Sequence, residues 1–350
     1  MPRILLIKLT SLGDLIHALP ALSDAQSARP GVEFDWVIDE NFKEIAHWHP
    51  AVKGVVTTNH REWRGTQAKA ETRGSILKTI ERIRSNRYDL IIDGQGNFKT
   101  ALLSLFAKGP RAGFDSQSVR EWIAHLAYQR RFAAPRNAHA IERLRRLFAA
   151  ALDYPMPDSP PDFRIQRERF VKPGVGLPGE YLVFIHNASW KTKLWPERHW
   201  IELIGKAARA GFRVLLPWGN SQEEARAKRL AIAPEVQVLP RLSLSEIGYV
   251  LARARACVCM DTGLSHLTAA LDVPAVTLYG STDSGLIGAA GASQVHLKSE
   301  WHCSPCQSKT CRYSSGDNPC LEQIGPERVF GELLRLTGTV AGTKLKHVQA

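Results

Sequence analysis

No stretch of this 350-residue chain offers the roughly 18 uninterrupted apolar residues that a membrane span requires. The N-terminus, MPRILLIKLTSLGD, is interrupted by Lys8 and Asp14 and no small-residue cleavage site follows, so it does not read as a signal peptide. No repeat of solenoid period is present. Acids are also scarce: 34 Asp and Glu stand against 46 Lys and Arg, a formal charge of +12. The deficit is local, because residues 53–150 hold 19 basic side chains and 8 acidic ones. That half favours anionic partners, among them nucleic acid, anionic lipid head groups or a phosphorylated substrate, although a scatter of basic helices kept for solubility gives the same count. The dense interleaving of aromatics found in single-strand binders is missing from it. What remains, 44% hydrophobic and 23% charged residues, is ordinary globular composition and excludes disorder. A soluble, cytoplasmic chain is expected.

The length exceeds one ordinary core and suggests two domains of roughly 150 residues. Strand-like runs alternate with helical patterns: ILLIKL, FDWVID and YDLIID, then YLVFIH, FRVLLPWG, VQVLP, ACVCMD and AVTLYG. Such alternation predicts an α/β fold of parallel sheets with crossover helices, two doubly wound domains whose strand C-terminal ends face a cleft. The Pro- and Gly-rich YPMPDSPPDF and VKPGVGLPGEY mark the junction. Expected boundaries are a first domain over 1–160, a linker over 161–178, a second domain over 179–325, and a terminal helix and tail over 326–350 that packs back on the first domain.

Three stretches at predicted strand ends carry candidate chemistry. In CMDTGLSHLTAALD, a turn freed by Gly263 leads into a helix whose first amides, from Thr262 and Gly263, suit a phosphate or pyrophosphate. Asp261 there can accept from sugar hydroxyls and His266 can donate to a phosphate or sugar oxygen; equally, Asp261 caps the helix and His266 packs in the core. In HNASWKTKLWPERHW, Ser189 and Lys193 lie in the loop before a helix that starts at Pro196, and Lys193 can neutralise a leaving diphosphate or be a solvated surface charge. In LPWGNSQEEARAKRL, Glu223 can take a bidentate hydrogen bond from a ribose or simply favour the helix dipole. The first loop, LTSLGDLIHALPAL, sits where a phosphate loop belongs, but it holds Asp14, a carboxylate that would repel the anion. Gly13 reads as its tight turn.

Taken together, IKLTSLGDLIHALPAL, IDGQGNFKTALL, KLWPERHW, LPWGNSQEEARAKRL and DTGLSHLTAALDVPAVTLYGSTDSGLIG closely resemble the bacterial lipopolysaccharide heptosyltransferases, glycosyltransferase family 9, over almost the whole chain. DAQSARPGVEFDWVIDENF and MDTGLSHLTAALD are most similar to the members that add the first heptose to the Kdo of lipid A. The resemblance implies the glycosyltransferase B fold of two Rossmann-like domains. It implies inverting transfer from ADP-L-glycero-D-manno-heptose without an essential metal, by an enzyme bound peripherally to the inner face of the inner membrane. It places the catalytic base on Asp14 and the phosphate-binding lysine on Lys193. Glu223 matches the ribose-binding acid, Leu242 a residue beside the adenine, and Asp261, Thr262, Gly263 and His266 the donor turn. Where the family carries two hydroxyl residues near the phosphates, this chain has Ala188 and Ser189, so one hydroxyl is missing. Arg61, Arg64 and Arg120 align with basic positions facing a Kdo-lipid A acceptor. Trp63 and Trp122, interleaved with them, dip towards the membrane or belong to the core. A monomer is expected, with no nucleic acid partner.

CSPCQSKTCRYSSGDNPC places Cys303, Cys306, Cys311 and Cys320 at a spacing that can close a tetrahedral zinc or iron site, or that is simply a reduced loop. The pattern is similar to the tail of the members that add the second heptose, which keeps that activity as the alternative. A non-catalytic nucleotide-sugar or nucleic-acid-binding protein is the alternative of a different class.

Overall fold

A computed structural model describes residues 1–59, 69–313 and 316–339, and they divide into two compact units, Met1–Arg169 and Phe170–Ala350. The first unit contains β1 (Arg3–Ile7), α1 (Leu12–Ile16), α2 (Leu19–Ala28), β2 (Glu33–Asp39), α3 (Lys43–His47), β3 (Val52–Thr58), α4 (Lys69–Ser85), β4 (Leu90–Asp93), α5 (Phe98–Phe106), β5 (Arg111–Phe114), β6 (Arg130–Phe132) and α6 (Ala140–Leu152). A six-residue 3-10 helix, Trp122–Ala127, precedes β6. The strands form one parallel sheet ordered β3-β2-β1-β4-β5-β6. The apolar runs that make β1 and β4 are buried along their lengths apart from Arg3, as strands covered by helices on both faces require.

Helix α6 shows how the covering layer is chosen. Ile141, Leu144, Leu147, Phe148 and Ala151 recur at helical spacing and are buried. Arg145 lies buried with them and pairs bidentately with Asp24 of α2, Nε to Oδ2 at 2.6 Å and Nη2 to Oδ1 at 3.2 Å. Two charges can be removed from water there because each satisfies the other.

The second unit contains β7 (Leu182–Ile185), α7 (Glu197–Arg209), β8 (Val214–Leu216), α8 (Ser221–Leu230), β9 (Val236–Val238), α9 (Leu244–Leu251), β10 (Ala256–Met260), α10 (Gly263–Ala270), β11 (Ala275–Tyr279), α11 (Ser284–Ile287), β12 (Gln294–Lys298), α12 (Pro319–Glu322) and α13 (Pro326–Thr337). Its parallel sheet runs β12-β11-β10-β7-β8-β9. In α13, Val329 and Leu333 are buried in the same core cluster as Trp195, Trp200 and Leu203, so the helix covers its own unit's sheet.

Both sheets thus have one order, read along their length as third, second, first, fourth, fifth and sixth strand. The chain reverses its direction of travel between β1 and β4 in one unit and between β7 and β10 in the other. In open α/β sheets, the carboxyl ends of strands at such a reversal are where ligands bind.

Each unit also buries a histidine without charge. His49 accepts from the Ala51 amide at Nδ1 and meets Ser23 Oγ at Nε2, and burial, with Arg164 nearby, lowers it to about 3. His186, at the end of β7, is lowered to about 3 by burial and then by Arg226. The unfolded chain protonates these rings near pH 6.5, so stability is lost as pH falls from there towards 3, by about 2 kcal/mol per histidine at pH 5. Urea unfolding is therefore expected to show a lower midpoint at about pH 5 than at about pH 7, with a smaller drop in His49→Gln. Equal midpoints at the two pH values would overturn this.

Candidate functional site

In the second unit, the candidate residues follow the strands in order along one sheet edge. The loop after β7 carries half-buried Ala188, exposed Ser189 and, in a 3-10 turn over Lys191–Lys193, Lys193. Beyond β10 come Asp261, the N-cap Thr262 and α10 with Gly263 and His266. These two loops meet at the reversal point. Lys193 Nζ lies 2.6 Å from Asp261 Oδ2 and 4.8 Å from the centre of the Trp190 ring. Asp261 also accepts from Thr282 Oγ1, and His266 Nε2 stands 3.9 Å from Asp261 Oδ1. The Asp261 side chain is 2% exposed and that of Lys193 13%. Lys193 is thus held in place by a buried acid, and Asp261 is its counter-ion, while Thr262 holds the N-cap position. Thr282 and Trp190 are partners that the motif reading missed; the GSTD sequence directly after β11 was the available signal.

Glu223 follows β8. Asn220 caps α8 by accepting from the Glu223 amide at 3.0 Å, and Glu223 Oε2 reaches back to the Gly219 amide at 2.7 Å. That bond uses one carboxylate oxygen and fixes the side chain at the strand end. Half-buried Leu242 lies after β9, one residue before Ser243, the N-cap of α9.

In the first unit, Asp14 is half-buried in the first turn of α1. Its Oδ2 accepts from the Ser11 amide at 3.0 Å and from Ser11 Oγ at 2.8 Å. Burial pushes the carboxyl up, but Lys8, the two Ser11 bonds and Arg120 together hold it below the ordinary aspartate value. Gly13 lies inside α1 and has no left-handed backbone, which corrects its expected role as a tight turn.

Lys8 is buried, and its Nζ donates to Gly94 O at 3.0 Å, while Gln95 Oε1 accepts from the Leu9 amide at 2.7 Å. These bonds join the loops after β1 and β4, at this sheet's own reversal. Burial lowers Lys8, opposed by Asp14 and Asp93 and reinforced by Arg120 and Arg143. The Gly94–Asn97 loop is shaped from beneath: Asp93 accepts from the Gln95 and Gly96 amides and, at 2.6 Å, from Tyr128 OH. Gly96 takes a φ of +67°, and a Cβ on Gly113 would collide with the Tyr128 ring. Neither Lys8 nor Gln95 was a sequence candidate, since a lysine in an apolar strand run gives no sign of the carbonyl it will meet.

Arg120 is exposed and close enough to act on the charges of both Lys8 and Asp14. Arg61, Arg64 and Trp63 lie outside the described residues. Trp122 is 63% exposed, which settles it as a surface aromatic.

The four cysteines line one cavity of about 30 Å³, together with Trp301 and Tyr313. Even so, no group of three or more His, Cys, Asp or Glu among the described residues is arranged to hold a metal ion. Cys320 lines that cavity and also belongs to the second unit's core cluster, and burial pushes its thiol up to about 11.

A model of glycosyltransferase family 9 (heptosyltransferase) matches residues 76–315. Lipopolysaccharide heptosyltransferase 1 of Pseudomonas aeruginosa is 46% identical over 345 residues, 95% of this chain and 97% of that protein. Among solved structures, E. coli heptosyltransferase WaaC with ADP matches with a TM-score of 0.85 and 40% identity, covering 95% of this chain and 99% of that one. E. coli WaaC with ADP-2-deoxy-2-fluoro heptose matches with a TM-score of 0.82 and 39% identity over the same shares. The two doubly wound sheets and the residues along their carboxyl edges are therefore those of a member of glycosyltransferase family 9, the heptosyltransferases, to which this chain belongs.

Proposed function

We propose that the chain is a heptosyltransferase I: it transfers L-glycero-D-manno-heptose from ADP-heptose to the Kdo of Kdo-lipid A, with inversion, during synthesis of the lipopolysaccharide inner core. The observation that carries this reading is the likeness, over nearly the whole chain, to the WaaC structure that holds ADP. The enzyme acts as a monomer at the cytoplasmic face of the inner membrane. On this reading the association is peripheral; none of the described helices is long and apolar enough to cross that membrane. Residues 1–160 bind the acceptor and residues 179–325 the donor, joined through 161–178.

The donor fits the strand order. β9, β8, β7 and β10 are successive neighbours, and at about 4.8 Å per strand their ends span about 14 Å, the scale of an extended nucleoside diphosphate sugar. Leu242 then lies by the adenine and Glu223 Oε1 by the ribose. Lys193, Ser189 and the Thr262 and Gly263 amides serve the diphosphate, and Asp261 and His266 serve the heptose. Asp14 takes the proton from the acceptor hydroxyl as that oxygen bonds to C1 of the heptose and the C1–phosphate bond breaks on the opposite face. A carboxylate held below its ordinary pKa is a weak base towards a resting hydroxyl. It serves here because the hydroxyl becomes acidic only as its oxygen bonds to an oxocarbenium-like carbon. The electrons leave on the diphosphate, and Lys193 with the α10 amides stabilises that charge, so no general acid is needed. Arg61, Arg64 and Arg120 are the basic residues that this reading assigns to the carboxylates and phosphates of the acceptor.

Asp14→Asn is expected to keep ADP-heptose affinity and to lose about 10²- to 10⁴-fold in kcat; an unchanged kcat removes Asp14 from the base role. Since Asp14 is ionised throughout the neutral range, the acid limb of kcat/KM should fall below about pH 4, and a limb near pH 6 would assign the base elsewhere. Lys193→Met should lower kcat by about 10²- to 10³-fold, the loss typical of one charge-stabilising donor. Transfer should survive dialysis against EDTA; activity lost there and restored by zinc or iron would reinstate the cysteines as a metal site. Heptose-free Kdo-lipid A is the deciding acceptor, because the cysteine tail resembles that of second-heptose enzymes and transfer only to a heptosylated core would favour that activity.

A further inference from the structure

Twelve large apolar side chains are exposed among the described residues, and six of them lie on two neighbouring elements of the first unit. Phe98, Leu102 and Leu105, at 51%, 42% and 51% exposure, recur at the spacing that lines one face of α5. Trp122, Ile123 and Leu126, at 63%, 50% and 57%, project from the 3-10 helix packed against α5. The two elements are pinned together, since the Phe98 amide donates to Glu121 Oε2 at 2.9 Å and the Glu121 amide donates to Gly96 O at 3.0 Å. The opposite face of α5, Thr100, Ala101, Leu103 and Ser104, is buried, so the helix is apolar on the side that water should have claimed.

Exposed basic residues lie on these elements and next to them along the chain. Residues 98–131 contain six Lys and Arg and two acids, and Lys99, Lys108, Arg120, Arg130 and Arg131 are exposed. An outward apolar face with a tryptophan and a basic rim is the composition of an element that lies in a membrane interface. A second copy of the chain fits poorly, because a twofold contact would set the same basic rim against itself. A polyanion without acyl chains would leave the aliphatic side chains in water.

We propose that the outer face of α5 and the adjoining 3-10 helix is the surface by which this enzyme docks on an anionic lipid bilayer. The inference rests on the reading that the acceptor is a membrane glycolipid, and it assigns to named residues the contact which that reading requires. Apolar side chains enter the head-group region, and the basic rim binds anionic lipid heads. The bound surface is expected to need both, so neutral vesicles should capture the protein weakly and added salt should release it.

The test is flotation of the full-length protein with phosphatidylethanolamine vesicles containing about 30% phosphatidylglycerol, beside pure phosphatidylcholine vesicles. Leu102→Ser with Leu105→Ser, and separately Trp122→Ser, should each reduce partition onto the anionic vesicles about tenfold or more. These side chains are exposed, so thermal unfolding should stay unchanged, and transfer to a water-soluble, deacylated Kdo acceptor should stay at the level of the unsubstituted enzyme. Unchanged partition of both variants overturns the inference. So does a concentration-dependent dimer in ultracentrifugation that the same substitutions abolish, which would make this face a self-association surface. Vesicle binding lost by the variants in a protein that transfers heptose to no acceptor would sink the heptosyltransferase reading alone. Transfer by a protein that ignores vesicles would sink the docking surface alone.

Discussion

The ion pair between Lys193 and Asp261 is the contact on which the second unit's carboxyl edge depends. It bridges the loops after β7 and β10, the two strands between which the chain reverses. A carboxylate as buried as Asp261 needs a cation and hydrogen-bond donors to offset the loss of water, and Lys193 and Thr282 supply them. The lysine gains in turn. A free lysine side chain carries about 2 kcal/mol of rotamer entropy, and Asp261 with the Trp190 ring has already removed much of that freedom. A charge fixed before the reaction starts needs no reorganisation when the diphosphate develops its own.

The first unit uses the same topology with the signs exchanged. At its reversal the buried charge is Lys8, tied to the Gly94 carbonyl, and the accessible one is Asp14. A buried lysine helps hold a nearby carboxylate below its ordinary pKa, and in the other unit a buried carboxylate pairs with a lysine. One sheet order therefore yields two kinds of chemistry. In the proposed reaction, the unit with the buried lysine offers the base and the unit with the buried aspartate the electrophilic clamp. Asp14 sits where a phosphate loop would lie, and the swapped charge explains why an acid is tolerated there.

Much of this was legible in the sequence, and the gaps have physical causes. The eight apolar runs read as strands are β1, β2, β4, β7, β8, β9, β10 and β11; strands buried on both faces advertise themselves, and only the half-buried edge strand β9 is legible without that help. The missed strands are β3, β5, β6 and β12. β6 is RRF, largely exposed at a sheet edge, and β12, QVHLK, is an edge strand that alternates polar and apolar residues. β3 carries Lys53 and Gly54, and β5 is only RAGF, so neither offers a hydrophobic run. At the sites, motif residues could be placed at strand ends, but their partners could not. Lys8 with Gly94, or Asp261 with Thr282, are pairs made by strand neighbours distant in sequence, which no local pattern encodes. The cysteine spacing does bring the four thiols to one cavity, but ligand spacing alone does not say whether they close on a metal, and Cys320 also belongs to the core.

The first unit also connects the proposed docking surface to the proposed base through a few residues. Gly94 holds Lys8, Gly96 accepts from Glu121, and Glu121 accepts from Phe98, where the apolar face of α5 begins. The loop Gly94–Asn97 is itself anchored on Asp93 and Tyr128, so it cannot drift relative to either. For an acceptor whose acyl chains stay in the bilayer and whose sugars extend from it, the distance between membrane and base must be constant. On the proposed reading, the anchored loop joining both ends sets that distance. A soluble acceptor would impose no such demand, and the outward apolar side chains of α5 would then be a liability to solubility with nothing to offset it.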